Sequence, residues 1–265
     1  MSYRRIACLS TEAVETLYLL GAEDCIAGIS GFTTRPARAR KEKPKVSGFS
    51  SAKIERILAV EPDLVITFSD LQADIACELI RAGVEVHAFN QRDLVGVLGM
   101  IRALAALIGK AQAGERLAAD LQARLEMARQ RAQALPRHPR VYFEEWNDPL
   151  ISGIRWASEL IEAAGGEDCF AVESRSPAAR DRIISDPAEV VRRAPDIIIG
   201  SWCGKKFRPE QVRARPGWDA VPAVRNGDLH EIKSADILSP GPGAITHGLA
   251  QMERIVAAWA ELRRP

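Results

Sequence analysis

Two patterns alternate along this chain: short unbroken apolar runs, and stretches with an apolar residue at every third or fourth position. Ile6–Leu9 is the first run and predicts a buried strand. Ser10-Thr11-Glu12 offers a cap for a helix over Ala13–Leu20, which Gly21 closes. Ile26–Ser30 is a second strand, and Phe32 to Lys45 reads as a loop rich in proline and arginine. Ser51 is placed to cap a helix over Ile54–Val60. Pro62-Asp63 then introduces Leu64–Phe68, apolar at nearly every position as a strand covered on both faces must be. A helix over Ile75–Ala82, ended by Gly83, and a strand over Val84–Phe89 complete a βαβ rhythm that implies a parallel sheet.

The stretch Asp93 to Leu135 is helical in pattern, with a break expected at Gly109. Its second half, Ala111–Ala134, would span roughly 35 Å at the rise of an α-helix, longer than a typical helix packed on a sheet, and Pro136 and Pro139 stop it. The alternation then restarts: Val141–Phe143 as a strand, Trp156–Ala164 as a helix, Pro187–Ala194 as a helix, Ile197–Trp202 as a strand, Asp228–Ile232 as a strand, and Ala244–Leu262 as a terminal amphipathic helix. The segment IERILAVEPDLVITF near Glu55 echoes AEVVRRAPDIIIGSW near Glu189, each a helix leading through Pro-Asp into a buried strand. The expected fold class is α/β: two Rossmann-like lobes with parallel sheets, at 1–109 and 137–265, joined once through one long helix within 110–136.

Composition narrows the function. Of 265 residues 36 are basic and 35 acidic, a net charge of +1, which argues against a nucleic-acid partner. No apolar stretch approaches the roughly 18 residues needed to span a bilayer, so membrane insertion is not expected. The five cysteines (Cys8, Cys25, Cys77, Cys169, Cys203) are odd in number and show no metal-ligand spacing, which predicts buried, reduced thiols and no metal site. With Ile6 opening a buried strand and no secretory pattern before it, a cytoplasmic location is expected for the chain as written, and a periplasmic one for a chain whose leader has been removed. Neither a phosphate-binding loop, a dinucleotide fingerprint nor a nucleophile elbow is present, so an enzyme is not expected.

Several segments carry a resemblance. Ser10-Thr11-Glu12, SGFTTRP at Ser30–Pro36, VSGFSSAKIERILAVEPDLVI at Val46–Ile66, SGIRWASELIEAAGGEDCF at Ser152–Phe170, APDIII at Ala194–Ile199 and SPGPGAITHGLAQM at Ser239–Met252 resemble the substrate-binding proteins of ABC importers for vitamin B12, haem and siderophores, most of all the cobalamin-binding branch. The resemblance implies a rigid connecting helix, small closure motions, and a large flat ligand, a corrinoid, held between the lobes by aromatic side chains. It requires no cofactor. It places ligand contacts at Phe32 and Arg35 after the second strand, Phe49 before the Glu55 helix, Phe68 at a strand end, and Glu145, Trp146 and Trp202 in the second lobe, with Ile237 to Pro242 as the last loop facing the ligand. Phe49 and Phe68 suit core packing as well, and Trp156, Trp218 and Trp259 read as packing residues.

The acidic cluster Glu144-Glu145 has no histidine or nucleophile beside it and reads as an acceptor for ligand amides or as local caps. An iron-siderophore or haem ligand is the alternative, favoured by Arg35, Arg155, Lys205 and Lys206; a metallocluster enzyme on the same scaffold is a further one. The resemblance also implies one permease-docking glutamate on each lobe. Glu55 stands seven residues before Pro62, whereas the matching place before Pro195 is Ala188, with Glu189 one residue and about 100° further round the helix. An ABC permease partner rests on Glu55 and a displaced Glu189.

Overall fold

Ile6, Ala7 and Cys8 have no exposed surface and form β1 (Ile6–Cys8), the centre of an all-parallel sheet. In the computed structural model, which describes residues 2–263, its neighbours are β2 (Ile26–Ser30) and β4 (Leu64–Phe68), with β3 (Lys45–Ser47) and β5 (Val86–Phe89) at the edges, in the order β3-β2-β1-β4-β5. The helices are α1 (Thr11–Leu19), α2 (Ala39–Glu42), α3 (Ile54–Leu58), α4 (Ala73–Arg81), α5 (Leu94–Leu107) and α6 (Ala111–Gln133). Leu9, Val46, Ile57, Val65, Ile75 and Leu79 pack into one core cluster of this unit.

Two local expectations are corrected. Ser10 has the extended backbone of a helix cap, but its hydroxyl makes no cap bond. The residue before α3 is Lys53 and not Ser51, again without a side-chain cap. Asp93 does cap α5, accepting from the Gly96 N–H at 2.7 Å. The loop expected over Phe32 to Lys45 contains α2 and ends at β3, a strand with Val46 as its one apolar residue and so without a hydrophobic run to mark it. Its pairing is steric as well as hydrogen-bonded: a methyl group on Gly28 of β2 would lie 2.7 Å from the Val46 side chain.

The second unit is built on β6 (Arg140–Asn147), longer than the strand the apolar run predicts. On one side β9 (Ile197–Gly200) and β10 (Leu229–Glu231) run parallel to it; on the other β7 (Leu150–Ser152) returns antiparallel through a tight turn, and the two-residue β8 (Glu167–Asp168) pairs its start. Helices α7 (Arg155–Ala163), α8 (Ala188–Arg193), α9 (Pro209–Arg213), α10 (Pro222–Asn226), α11 (Ser234–Ile237) and α12 (Leu249–Glu261) surround the sheet. Trp218, Tyr142, Phe170 and Ile198 share its core. Trp156 is buried with its indole N–H on the Ile237 carbonyl at 2.8 Å, and Trp218 and Trp259 are buried too, the packing roles expected of them. The terminal helix opens with a π-turn over Ala244–Gly248 before α12 begins.

The chain divides inside α6. One unit holds residues up to Gln122 together with Pro240–Gly243; the other holds Ala123–Ser239 and the residues from Ala244 onward. The tetrapeptide Pro240-Gly241-Pro242-Gly243 is thus part of the first unit although its flanking residues belong to the second.

Candidate functional site

Because every strand of the first sheet is parallel, the carboxyl ends of β1 to β5 and the loops after them lie along one edge, the position at which open α/β sheets present ligand contacts. Phe32 follows β2 and Phe49 follows β3, and the pairing of those strands brings the two rings together, centroids 6.1 Å apart and edge to face. Phe32 is 59% exposed and Phe49 44%. Two adjacent phenylalanines left in water forgo the burial that normally stabilises them, which is the mark of a binding surface more than of a core.

The loops that carry this pair are tied from below. Gln72, buried, donates to the carbonyls of Leu9 and Phe49 at 3.2 and 2.6 Å and accepts from the Phe68 N–H at 2.9 Å. One amide therefore fastens the ends of β1 and β4 and the loop after β3. Nothing in the sequence marks Gln72 for this role; it is one polar residue at a helix start. Ser30 adds a hydroxyl bond to the Gly48 carbonyl at 3.1 Å.

Phe68 is almost fully buried, with the Arg92 guanidinium 5.7 Å from its ring. Arg35 lies against the first unit, its Nε donating to Glu15 at 3.0 Å, and its guanidinium covers Gly243, where a methyl group would fall 2.2 Å from it. Glu15 also accepts from the Gly243 N–H at 3.1 Å, and Gln91 donates to the Pro240 carbonyl at 2.9 Å. Of the loop expected over Ile237 to Pro242, the part from Pro240 onward is held by these bonds.

In the second unit, Glu144, Glu145 and Trp146 occupy the end of β6, but the carboxylates face cations of the protein. Glu144, with no exposed surface, accepts two bonds from Arg215 at 2.6 and 2.8 Å and one from the Trp202 indole N–H at 2.8 Å. Glu145 accepts two from the buried Arg182 at 2.7 and 3.2 Å, and Arg182 also donates to the Ser152 carbonyl of β7. The Arg182 bonds tie β6 to β7 across the hairpin, and the Arg215 pair ties β6 to the segment after α9. Trp202 is 3% exposed and packs edge to face on Phe207 at 5.1 Å. Trp146 is half-buried on that cluster, its indole N–H on the Asp148 carbonyl at 2.7 Å and the Lys205 ammonium 3.9 Å from its ring centre. Lys206 is exposed beside it, while Arg155 is paired with Glu159 at 3.0 Å.

The structure thus brings Phe32 and Phe49 together on the first unit, and Glu145, Trp146 and Trp202 around the end of β6 on the second. Glu55 is exposed on α3. Glu189 on α8 is paired with both Arg192 and Arg193, at 2.6 and 2.7 Å, and these guanidinium bonds hold its carboxyl below the ordinary range.

All five cysteines are free thiols, and two, Cys77 and Cys203, are exposed, contrary to the expectation of burial. Among the described residues no group of histidines, cysteines and carboxylates is arranged to hold a metal ion. No helix among them is long and apolar enough to cross a membrane.

Comparison with known proteins agrees with this architecture. The profile of the family described as periplasmic binding protein matches residues 6–235. A vitamin B12-binding protein of Vibrio campbellii is 28% identical over 202 residues, covering 75% of this chain and 70% of the relative. One from Vibrio parahaemolyticus is 25% identical over 241 residues, 90% of this chain and 84% of the relative. Among solved structures, the periplasmic vitamin B12 binding protein of Vibrio cholerae superposes with a TM-score of 0.75 at 22% identity, covering 97% of both chains. A periplasmic haem-binding protein from Roseiflexus sp. RS-1 in apo form superposes at 0.78 and 24% identity, covering 97% of this chain and 100% of that one.

Proposed function

This chain belongs to the periplasmic binding protein family, and on that premise we propose that it binds a corrinoid, a cobalamin-like ligand, through the aromatic patches at the strand ends of its two units. The observation that carries the reading is the exposed Phe32–Phe49 pair. A corrin ring offers a broad apolar face, and rigid aromatic rings cover such a face at low cost in side-chain entropy. The vitamin B12-binding relatives match most of the chain's length, which favours the corrinoid over other flat chelates. Phe32, Phe49 and Trp146 are the ligand contacts in this reading. Arg35, Phe68, Glu145 and Trp202, buried or ion-paired, hold those contacts in place.

The test is the visible spectrum of the protein after incubation with cobalamin, cobinamide and haem, followed by desalting. A retained corrinoid spectrum is expected. Retention of haem with no corrinoid would overturn the reading in favour of an anionic iron chelate, for which the cation at Lys205 beside Trp146 is the specific support. Retention of none would remove both.

As a binding protein serving an ABC permease, the chain would dock through Glu55. Glu189 is already committed to two arginines of its own helix, so its contribution is expected to be small. In cells whose corrinoid uptake depends on this chain, Glu55→Ala should lower uptake about two- to fivefold, the range an exposed ion pair can supply, and Glu189→Ala should leave it within error. Equal losses from the two variants would place the second contact at Glu189 after all; no loss from either would remove the permease from the reading.

A further inference from the structure

Glu12 stands in the first turn of α1, beside the carboxyl end of β1, and is 4% exposed. Its Oε1 has no hydrogen-bond partner among the described residues. The Thr11 hydroxyl lies 3.3 Å from its Oε2. The main chain of Gly241 is pressed onto this side chain: a methyl group there would sit 2.4 Å from the Glu12 Cβ. Glycine is the residue that permits so close an approach of two backbones. A buried carboxyl group with an orphaned oxygen is costly when ionised and tolerable when protonated.

The surroundings give a carboxylate no counter-charge. On α1 the neighbouring titratable group is Glu15, a second carboxylate. On β1 it is Cys8, whose thiol burial and Glu12 both push up. From the loop after β2 comes Arg35, but its guanidinium is paired with Glu15. The strap itself, Pro240-Gly241-Pro242-Gly243, has no charged side chain, and the residue that binds it from the loop after β5 is the neutral Gln91. Burial accordingly raises the Glu12 carboxyl from its ordinary 4.5 to about 7; Glu15 adds to the rise, and the hydrogen bonds around Glu12 oppose it.

Among the contacts that hold the strap down are the Gln91 amide on the Pro240 carbonyl and the Gly243 N–H on Glu15, with Arg35 lying over Gly243. We propose that Glu12 is a proton-operated latch: as a neutral acid it stays dry beneath the strap and the strap lies down, and as a carboxylate it draws in water and the strap lifts.

The direction of the pH response follows from linkage. The shut state keeps the proton up to about pH 7, whereas the lifted state, with Glu12 in water, releases it near 4.5. Opening is therefore least below pH 4.5, grows by up to about tenfold per pH unit between the two values, and levels off above pH 7.

Native-state hydrogen exchange at the Gly243 amide, measured on the full chain without ligand and divided by the intrinsic rate at each pH, reads this opening directly. The expected result is a climb in opening from pH 4.5 to 7 of about 80-fold, and a flat profile in Glu12→Gln, which keeps the shape of the side chain and removes its ionisation. A flat profile in the unmodified protein overturns the latch, and that measurement needs no variant to fold. The same climb surviving in Glu12→Gln overturns it too, because another group would then be titrating. Opening that instead grows toward acid pH would mark loss of the Glu15 anchor and would also overturn the proposal.

Discussion

Replacing Phe32 and Phe49 together by alanine should weaken corrinoid binding by about 30- to 1,000-fold, the loss of one to two aromatic anchors at about 2 kcal/mol each without full additivity. The two rings touch each other and are largely in water, so truncating them removes ligand contact area and little else. Titration calorimetry with cobalamin measures the loss, and the thermal midpoint of the ligand-free double variant should stay close to that of the parent. The single variants separate contact from mutual support: if Phe32→Ala alone causes most of the loss, Phe49 mainly props its neighbour. A double variant that binds within about threefold of the parent would show that the exposed pair is not the ligand surface, since even a modest aromatic contact exceeds that.

The largest expected effect on stability is at Arg215. Its guanidinium makes two bonds to Glu144, a carboxylate with no exposed surface, and lies 4.4 Å over the Trp218 ring. Arg215→Met keeps much of the packing but leaves the Glu144 charge in the interior, with the Trp202 N–H still donating to it and no cation paired with it. Breaking such a buried pair from one side costs about 3–5 kcal/mol. For a chain of this size the midpoint of thermal unfolding should then fall by roughly 10 °C. The double variant Glu144→Gln, Arg215→Met removes the stranded charge and should recover most of the loss. Differential scanning calorimetry decides the point: a double variant as unstable as the single one would mean that the guanidinium acts by packing on Trp218 and not by neutralising Glu144.

Glu144 and Glu145 also illustrate what the sequence leaves open about this site. A pair of carboxylates at a strand end looks like a set of acceptors for a ligand. Their partners, Arg215 and Arg182, lie 71 and 37 residues downstream in segments of low regularity, and no local pattern links them. Trp202 is similar: its place at a strand end is legible, but its contacts with Glu144 and Phe207 depend on residues the chain brings in from elsewhere. Arg35 is a third case, since Glu15 and Gly243, its partners, are 20 residues upstream and 208 downstream of it.

What the sequence determined by itself is the set of elements whose burial is complete on both faces or regular along one. Ile26–Ser30 and Leu64–Phe68 have the bounds their unbroken apolar runs predict, and Gly21, Gly83 and Gly109 adopt the positive φ by which glycine closes a helix. Burial of an entire strand or of one helix face needs only the local order of residues, so it can be read without a fold. The tertiary structure alone decided the edges and the couplings: β3 and β7, short strands that their neighbours define; Gln72, one amide joining the ends of β1 and β4 and the loop after β3; and residues 240–243, assigned to the first unit by Gln91, Glu15 and Arg35. Each of these rests on hydrogen bonds or close contacts between residues distant in the chain, and such contacts leave no periodicity in the sequence.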